Sequence, residues 1–275
     1  MVGNNKKIIR YQNLAKEIRR LILKIAYTSQ THHLGSALSI VDLLTVLYFR
    51  TLKINPKKEK NPQRDRFILS KGHACLAWYV TLAKRGFFSE KKLLKNYSLD
   101  GGALGLHPDK DSMPGIEVTT GSLGHGLSVG AGLALAAKLN KSSYRTFVII
   151  GDGECNEGSI WEAAMFANQQ ELDNLVAILD YNHLQGFGRT EEVIDLEPLV
   201  DKWQAFGWAV KEIDGHSFKE IIQIFDKIPF QKNKPNIIIA NTVKGKGVPF
   251  LEDKLESHYK YINQEELKIA LRELE

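Results

Sequence analysis

Residues 146–154 read TFVIIGDGE, an apolar run of strand length that ends in a glycine-flanked carboxylate. A second apolar strand is predicted from Leu175 to Asp180, and Asn182 follows it closely. Glycine lets the backbone turn sharply and lets an anion approach without a Cβ in the way. Carboxylate, amide and backbone carbonyl oxygens are ligands that Mg²⁺ takes together with phosphates. Asp152 and Asn182 therefore predict a metal site that holds a diphosphate, with the carbonyl of Leu184 as a third ligand, although Gly-Asp-Gly alone is more often a plain turn.

The rest of the chain repeats this alternation of short apolar strands with helices. Further strands are predicted at residues 66–69, 208–213 and 236–241, and amphipathic or small-residue helices lie between them. Such a pattern indicates an α/β fold with three layers, a doubly wound and mainly parallel sheet covered by helices on both faces. Ligands bind at the carboxyl ends of such strands, where the motifs of this sequence lie. We expect one domain spanning residues 1–275.

Three local features refine this expectation. Ser39 offers a capping box with Asp42 at the start of an apolar helix, and Gly86 is a natural left-handed position at the end of another. A helix that begins near Gly124 is rich in glycine and alanine. Because glycine costs about 1 kcal/mol per helical position, this helix makes sense only where another backbone or a ligand comes very close.

Composition and charge exclude several classes of protein. Apolar residues make up 43% of the chain and charged residues 25%, and the net charge is +5. The basic residues are not clustered with aromatics as on a nucleic-acid-binding element, and a mild positive field suits anionic sugar phosphates. No run approaches the ~18 apolar residues of a membrane span. Two cysteines without metal-ligand spacing favour the reducing cytoplasm, and no signal-type core is seen at the N-terminus.

Four histidines lie in predicted loops beside glycine, proline or serine, namely His33, His73, His107 and His258. A single loop histidine is usually only solvated, but four at strand or loop ends suit hydrogen bonding to phosphate and proton transfer near neutral pH. His32 and His125 are also present, and spacing alone does not rank them.

Other polar motifs have two interpretations each. Residues 120–124 and 244–247 are glycine-rich and suit either anion contact at a helix start or an ordinary turn. The second stretch lacks the full pattern of a nucleotide P-loop. Glu157 and Glu162 lie near the start of one helix, where a carboxylate is favourable for electrostatic reasons alone.

Together these motifs resemble the thiamine-diphosphate-binding N-terminal domain of the transketolase family. The matching stretches are Thr31 to Gly35, Leu69 to Ala74, Leu106 to Asp109, Thr119 to Gly126, Gly151-Asp152-Gly153 with Asn182, and Gly245-Lys246-Gly247 with His258. They occur in family order and cover essentially the whole chain. Their combination is far more specific than any single motif.

The resemblance implies thiamine diphosphate and Mg²⁺ or Ca²⁺ as cofactors. It implies metal ligation by Asp152, Asn182 and the Leu184 carbonyl. The implied cofactor-binding residues are His73, Gly121, Ser122, Leu123, Gly151, Asp152, Gly153, Glu154, Asn182 and His258. The implied catalytic residues are His33, His73, His107 and His258, with Glu157 and Glu162 as a carboxylate pair that couples two active sites across a subunit interface.

The departures from the family concern the donor pocket and the length. Thr31-His32 replaces a small Ser-Gly, Ser122 replaces a frequent proline, and His125 replaces a common glutamine. The chain ends where the family's first domain ends, so the resemblance implies a separate C-terminal subunit that carries the pyrimidine-binding domain, in an α2β2 heterotetramer. The expected reaction transfers a two-carbon ketol unit from a ketose phosphate to an aldose phosphate, as in the pentose phosphate pathway.

Three alternatives remain beside this interpretation. A 1-deoxyxylulose-5-phosphate synthase-like enzyme generally has a different segment at residues 69–73, and a 2-oxo acid dehydrogenase subunit is disfavoured by the four histidines. A cofactor-binding regulatory subunit without catalysis is disfavoured by the intact Asp152 and Asn182 pair.

Overall fold

The structure is a computed structural model that describes residues 2–275, with side chains described from residue 6 onward. The first residue of the expected 1–275 domain lies outside this range. Five strands form a single sheet in the order β1-β2-β3-β5-β4, and every neighbouring pair is parallel. The strands are β1 Arg66–Leu69, β2 Thr146–Gly151, β3 Leu175–Tyr181, β4 Ala209–Asp214 and β5 Asn236–Asn241.

Eleven α-helices accompany the sheet within residues 2–275. They are α1 Val2–Ser29, α2 Leu34–Ser39, α3 Val41–Val46, α4 Cys75–Arg85, α5 Glu90–Leu94, α6 Gly126–Leu139, α7 Gly158–Gln169, α8 Thr190–Val193, α9 Leu199–Ala205, α10 Phe218–Phe225 and α11 Gln264–Glu273. None of these helices is long and apolar enough to cross a bilayer.

The sheet separates two hydrophobic cores, because successive side chains of a strand point to opposite faces. In β2, Phe147 and Ile149 join the core formed with α1–α4, α10 and α11, whereas Val148 and Ile150 join the core formed with α6, α7 and α9. The predicted three-layer α/β fold with a doubly wound parallel sheet is therefore confirmed.

The capping box predicted from Ser39 is wrong. Ser39 is the last residue of α2, and its hydroxyl donates to the Ser36 carbonyl at 3.0 Å and to Asp180 at 2.8 Å. Asp42 instead accepts two hydrogen bonds from the Arg19 guanidinium, each 2.8 Å long. A buried ion pair from a distant helix thus displaces the local cap. The left-handed cap at Gly86 is confirmed, with φ of 96°.

Two segments carry the chain toward the carboxyl edge of the sheet. Residues 96–122 form an irregular loop whose only ladder contact among the described residues is a bridge between Tyr97 and Leu104. α6 then packs tightly on the sheet, and a Cβ on Gly130 would lie 2.4 Å from Val148 Cγ2. The close approach predicted for this small-residue helix is therefore observed at Gly130.

Candidate functional site

A cavity of about 470 Å³ lies at the carboxyl ends of β1, β2, β3 and β5. Most of the predicted site residues line it, namely His33, His73, His107, Gly121, Leu123, Gly151, Asp152, Gly153, Glu154, Glu157, Asn182, Leu184 and His258. Ser122, His125 and Glu162 are exposed side chains that do not line the cavity. The predicted residues, which are scattered over more than 220 positions of sequence, therefore converge at one edge of the sheet.

The histidines meet because two distant segments pack together. His33 begins α2 with a left-handed backbone, φ 67°, and its N–H donates to the carbonyl of His258 at 2.9 Å. The lack of a side chain at Gly35 permits this packing, since a Cβ there would lie 2.2 Å from Ser257 Oγ. The result is a cluster of imidazoles at the sheet edge.

Ring distances define this imidazole cluster. The His33 ring centroid lies 4.9 Å from that of His258, 5.3 Å from that of His73 and 6.2 Å from that of His107. His32, which sequence spacing did not rank, packs edge-to-face on His33 at 4.0 Å. The Nδ1 atoms of His33 and His258 are buried and have no hydrogen-bond partner among the described residues.

All four predicted histidines favour the neutral form. Burial, followed by the neighbouring His32 and His107, lowers the pKa of His33 to about 3. Burial and the Lys244 ammonium likewise lower the pKa of His258 to about 3. Burial also lowers the pKa of His73, well below the usual value, and that of His107. Near neutral pH these imidazoles can therefore both donate and accept hydrogen bonds.

The predicted metal ligands directly follow two adjacent strands. Gly151 pairs with Asp180 in the sheet, so Asp152 and Asn182 follow neighbouring strand ends. The Asp152 carboxylate accepts from the Gly153 N–H at 2.8 Å and from the Thr190 hydroxyl at 3.2 Å. Burial, and then the Asp180 carboxylate, raises the pKa of Asp152 to about 6. A nearby cation stabilises the ionised form of a buried carboxylate of this kind.

The donor set at this position suits a hard cation. Asn182 donates its Nδ2 to Asp180 at 2.8 Å and accepts the Leu184 N–H at its Oδ1 at 3.2 Å, which fixes the orientation of the amide. The carbonyl of Leu184 accepts from Lys244 Nζ at 2.9 Å and keeps a second lone pair. Carboxylate, amide and carbonyl oxygens fit Mg²⁺ or Ca²⁺. No cluster of three or more His, Cys, Asp or Glu side chains with metal-binding geometry occurs within residues 2–275.

Two buried lysines at the cavity were not singled out from the sequence. Lys71, two residues after the end of β1, pairs with Asp180, which also accepts from Ser39 and Thr242. Lys244, shortly after β5, donates to the carbonyls of Leu184 and Gln185, its only hydrogen-bond acceptors among the described residues. The positions after strand ends were the available signal. Lys244 was quoted only as part of a glycine-rich loop. The two ammonium groups make the cavity suitable for a phosphate-bearing ligand.

Glu154 lines the cavity, but its carboxylate is occupied by the protein. One oxygen accepts from the Ser70 hydroxyl at 2.5 Å and the Gly124 N–H at 2.9 Å, and the other accepts from the Gly151 N–H at 2.9 Å. Burial raises the pKa of Glu154, and these hydrogen bonds oppose that effect.

Gly121 holds the segment that contains Leu123 against His107. Its φ of 145° lies in the region that side chains rarely adopt, and a Cβ there would be 2.9 Å from His107 Cδ2. A larger residue would therefore push the segment away from the imidazole cluster.

The mouth of the cavity is apolar. Its rim carries Phe187, which is 84% exposed, together with Val193, Ile194 and Tyr259, all of which are exposed hydrophobic residues. The cavity thus combines a charged, buried floor with an apolar rim.

Comparisons with known proteins agree with this geometry. The profile described as "Transketolase, thiamine diphosphate binding domain" matches residues 10–274. A protein of Phocaeicola vulgatus that is named as one subunit of apulose-4-phosphate transketolase is 46% identical over 256 residues, covering 93% of this chain and 90% of that protein. The chain is also 46% identical over 264 residues to the 6-deoxy-6-sulfo-D-fructose transketolase subunit SqwG of a Clostridium species, covering 96% of each.

A solved structure shares the same fold. The transketolase from Leishmania mexicana superposes with a TM-score of 0.90 at 27% identity, covering 96% of this chain and 41% of that one. The chain therefore spans about two fifths of the length of this solved transketolase.

Proposed function

The chain belongs to the transketolase family, and from this premise we propose that it is the N-terminal subunit of a split, thiamine-diphosphate-dependent transketolase. The observation that carries the proposal is the single cavity in which four histidines, Asp152 and Asn182 meet, in a chain that spans nearly the full length of relatives named as transketolase subunits. We treat residues 1–275 as one domain of this enzyme.

The chain's own residues would hold the cofactor at its diphosphate end. Asp152, Asn182 and the Leu184 carbonyl would bind Mg²⁺ or Ca²⁺, and His73, Gly153 and His258 would contact the diphosphate. Lys244 would add a charge-assisted contact, because its ammonium is buried at the same floor. When bound, thiamine diphosphate supplies a nucleophilic carbon and an electron sink for cleavage of a C–C bond.

The imidazole cluster would orient the donor ketose and move its protons. His33, His107 and His258 are neutral near pH 7 and can donate to or accept from sugar hydroxyls. The apolar rim excludes water from the site once it is covered, which strengthens the polar interactions inside.

We also propose that a C-terminal subunit with the pyrimidine-binding domain covers this rim. Phe187, Ile194 and Tyr259 are exposed around the cavity mouth, which supports an interface at that place. Val129 on α6 and Met165 and Phe166 on α7 are also exposed apolar residues, and the two helices pack together, which supports contact between two copies of this chain. Glu162 lies one helical turn before Met165 and Phe166, and Glu157 directly precedes α7, so we propose an α2β2 heterotetramer with a carboxylate pair at its centre.

The proposed substrates are sugars with an anionic end. The relatives are named for apulose-4-phosphate and 6-deoxy-6-sulfo-D-fructose, which carry a phosphate and a sulfonate. The net charge of +5 favours such ligands. A reducing, cytoplasmic setting is proposed from the two cysteines, both free and buried.

Calorimetric titration of thiamine diphosphate in the presence and absence of Mg²⁺ tests the cofactor site. Asp152→Asn should abolish metal-dependent binding, whereas Asp201→Asn, an exposed aspartate of α9, should bind as the unsubstituted chain does. Unchanged metal dependence in Asp152→Asn would refute the metal role. Isolation of the chain with its native partner, followed by a ketol-transfer assay, tests the split enzyme, and a chain without partner or activity would contradict it.

A further inference from the structure

The segment of residues 120–126 is attached to the site floor by buried hydrogen bonds. The Ser70 hydroxyl, directly after β1, accepts the Gly126 N–H at 3.1 Å and donates to Glu154 at 2.5 Å. The same Glu154 oxygen accepts the Gly124 N–H at 2.9 Å. Ser70 and Glu154 are 0% and 1% exposed, so these bonds are shielded from water.

Glu154 connects this segment to the end of β2, directly before the proposed metal ligand Asp152. Its second oxygen accepts the N–H of Gly151, the residue before Asp152. An ionised carboxylate only accepts hydrogen bonds, and here all three of its donors belong to different segments of the chain. The segment, the end of β1 and the end of β2 are thereby joined through one side chain.

A third side chain holds the segment from α7. The Ser159 hydroxyl donates to the Gly124 carbonyl at 3.0 Å. Gly124 has a φ of 84°, and a Cβ there would lie 2.6 Å from Ser159 Oγ and 2.8 Å from Glu157 Cβ. Both backbone polar groups of Gly124 are thus engaged by side chains at close packing distance.

We propose that Ser70, Glu154 and Ser159 form a loop clamp, a set of positioning residues that fixes residues 120–126 relative to Asp152. The inference rests on the proposed function. A ligand that contacts both Asp152 and Leu123 must match the separation of the two sites, and the loop clamp sets that separation in advance. A ligand that reaches only Asp152 gains nothing from it. Glu154 acts through these backbone groups, because both of its oxygens are already hydrogen-bonded to the protein.

Two ligands separate the loop clamp from the floor of the site. Both are measured on the complex of the chain with its native partner, where inorganic diphosphate with Mg²⁺ probes only the floor and thiamine diphosphate with Mg²⁺ probes the floor and the segment. In Ser70→Ala the Kd for thiamine diphosphate should rise roughly tenfold or more, the equivalent of one strong hydrogen bond. The Kd for inorganic diphosphate should stay within about twofold. Ser159→Ala, whose hydroxyl makes one bond at a half-buried place, should show the same selectivity with a smaller change.

Hydrogen exchange supplies a readout that does not need the ligand. Amides of residues 120–126 should exchange faster in both variants. The matched control is Thr81→Val, which removes a buried hydroxyl bonded to a backbone carbonyl in α4, away from the cavity. It should change neither the ratio of the two Kd values nor the exchange of the segment.

Either of two results for Ser70→Ala would overturn the loop clamp. One is an equal loss of affinity for both ligands, and the other is an unchanged ratio of the two Kd values together with unchanged hydrogen exchange of residues 120–126. If the complex of the unsubstituted chain with its native partner bound inorganic diphosphate but not thiamine diphosphate, the proposed function would fail instead. Exchange of residues 120–126 would then decide the clamp alone, since faster exchange supports it and unchanged exchange overturns it.

Discussion

Replacing Gly130 by alanine should destabilise the chain, although alanine is the better helix former. Gly130 is buried in α6, and a Cβ there would lie 2.4 Å from Val148 Cγ2 and 3.5 Å from Leu175 Cδ1. Two carbon atoms normally approach to about 3.5–4.0 Å, so the first contact is too short by more than about 1 Å. Val148 is fully buried in β2 and, being β-branched, has little rotameric freedom to move aside.

The magnitude follows from two opposing effects. Alanine gains about 1 kcal/mol over glycine in a helix interior, and overpacking a rigid core costs about 1–3 kcal/mol. The free energy of unfolding should therefore change by between about zero and a loss of 2 kcal/mol. Gly132→Ala provides the matched control, because no atom lies within 4 Å of a Cβ at that position. It should stabilise the chain by up to about 1 kcal/mol, so the two variants should differ by about 1–3 kcal/mol.

Urea unfolding of the dilute chain, followed by circular dichroism, measures both variants without a contribution from self-association. The m-values should be unchanged and the midpoints should move apart. A double variant with Val148→Ala should recover part of the loss at Gly130, with a coupling energy of at least about 0.5 kcal/mol. Equal midpoints for Gly130→Ala and Gly132→Ala would refute the steric argument.

Four further outcomes are expected. Asp42→Asn should lower the free energy of unfolding by about 3–5 kcal/mol at pH 7, because it leaves the buried Arg19 without its partner. Burial alone would raise the pKa of Asp42, but Arg19 and its hydrogen bonds lower this pKa to about 2. The stability that the carboxylate contributes is therefore complete above about pH 4 and is lost as the pH falls toward 2. Lys244→Met should weaken the binding of Mg²⁺ with inorganic diphosphate roughly tenfold or more, while leaving the chain equally or more stable to urea. His107→Asn should lower ketol transfer by the assembled enzyme by about 10²–10⁴-fold and leave the calorimetric affinity for thiamine diphosphate within a few-fold. Phe187→Ser should weaken partner binding by about 1–3 kcal/mol in sedimentation or surface-binding assays, with a change in unfolding of less than about 0.5 kcal/mol.

Each of these outcomes has a contrary one. A difference between Asp42→Asn and the unsubstituted chain that stays constant from pH 7 to pH 2 would contradict the assigned shift. Lys244→Met with normal diphosphate affinity would remove that lysine from the site. Loss of cofactor binding in His107→Asn would assign the residue to cofactor binding instead of proton transfer, and unaltered partner affinity in Phe187→Ser would place the interface elsewhere.

Strand ends were predictable because their signal is local. A continuous apolar run followed by Gly-Asp-Gly, or by Asp-Tyr-Asn, indicates a buried parallel strand that ends in polar residues. All of the residues that carry this signal lie within about ten positions of each other. Parallel pairing then brings Asp152 and Asn182 to one edge without further information. Loop positions beside glycine, proline or serine indicated the four histidines, and the resemblance gave them their roles, whereas spacing alone could not rank His32 and His125.

Contacts between distant segments were not predictable in the same way. The Ser39 and Asp42 spacing indicates a capping box, but Arg19 reaches Asp42 from α1, 23 positions away. In the sequence, Glu154 looks like an ordinary polar residue in a turn. Its role depends on hydrogen bonds from the Ser70 hydroxyl and the Gly124 N–H, which lie far away in the chain. Local spacing carries no information about such partners, so hydrogen-bond networks that join loops emerge only from the folded chain.

The buried charges explain which ligand this cavity favours. Lys71 is paired with Asp180, whereas within the described part of the chain Lys244 donates only to carbonyls, and burial lowers its pKa to about 8. Burial, and then the Asp180 carboxylate, raises the pKa of Asp152, and the positive charges of Lys71 and Lys244 oppose this effect only in part. An ammonium and a carboxylate that are each incompletely compensated impose a desolvation cost. A free anion would offset only the first cost and a free cation only the second. A metal diphosphate would offset both at once, and this supports the proposal that the floor of the cavity holds the metal-bound end of thiamine diphosphate.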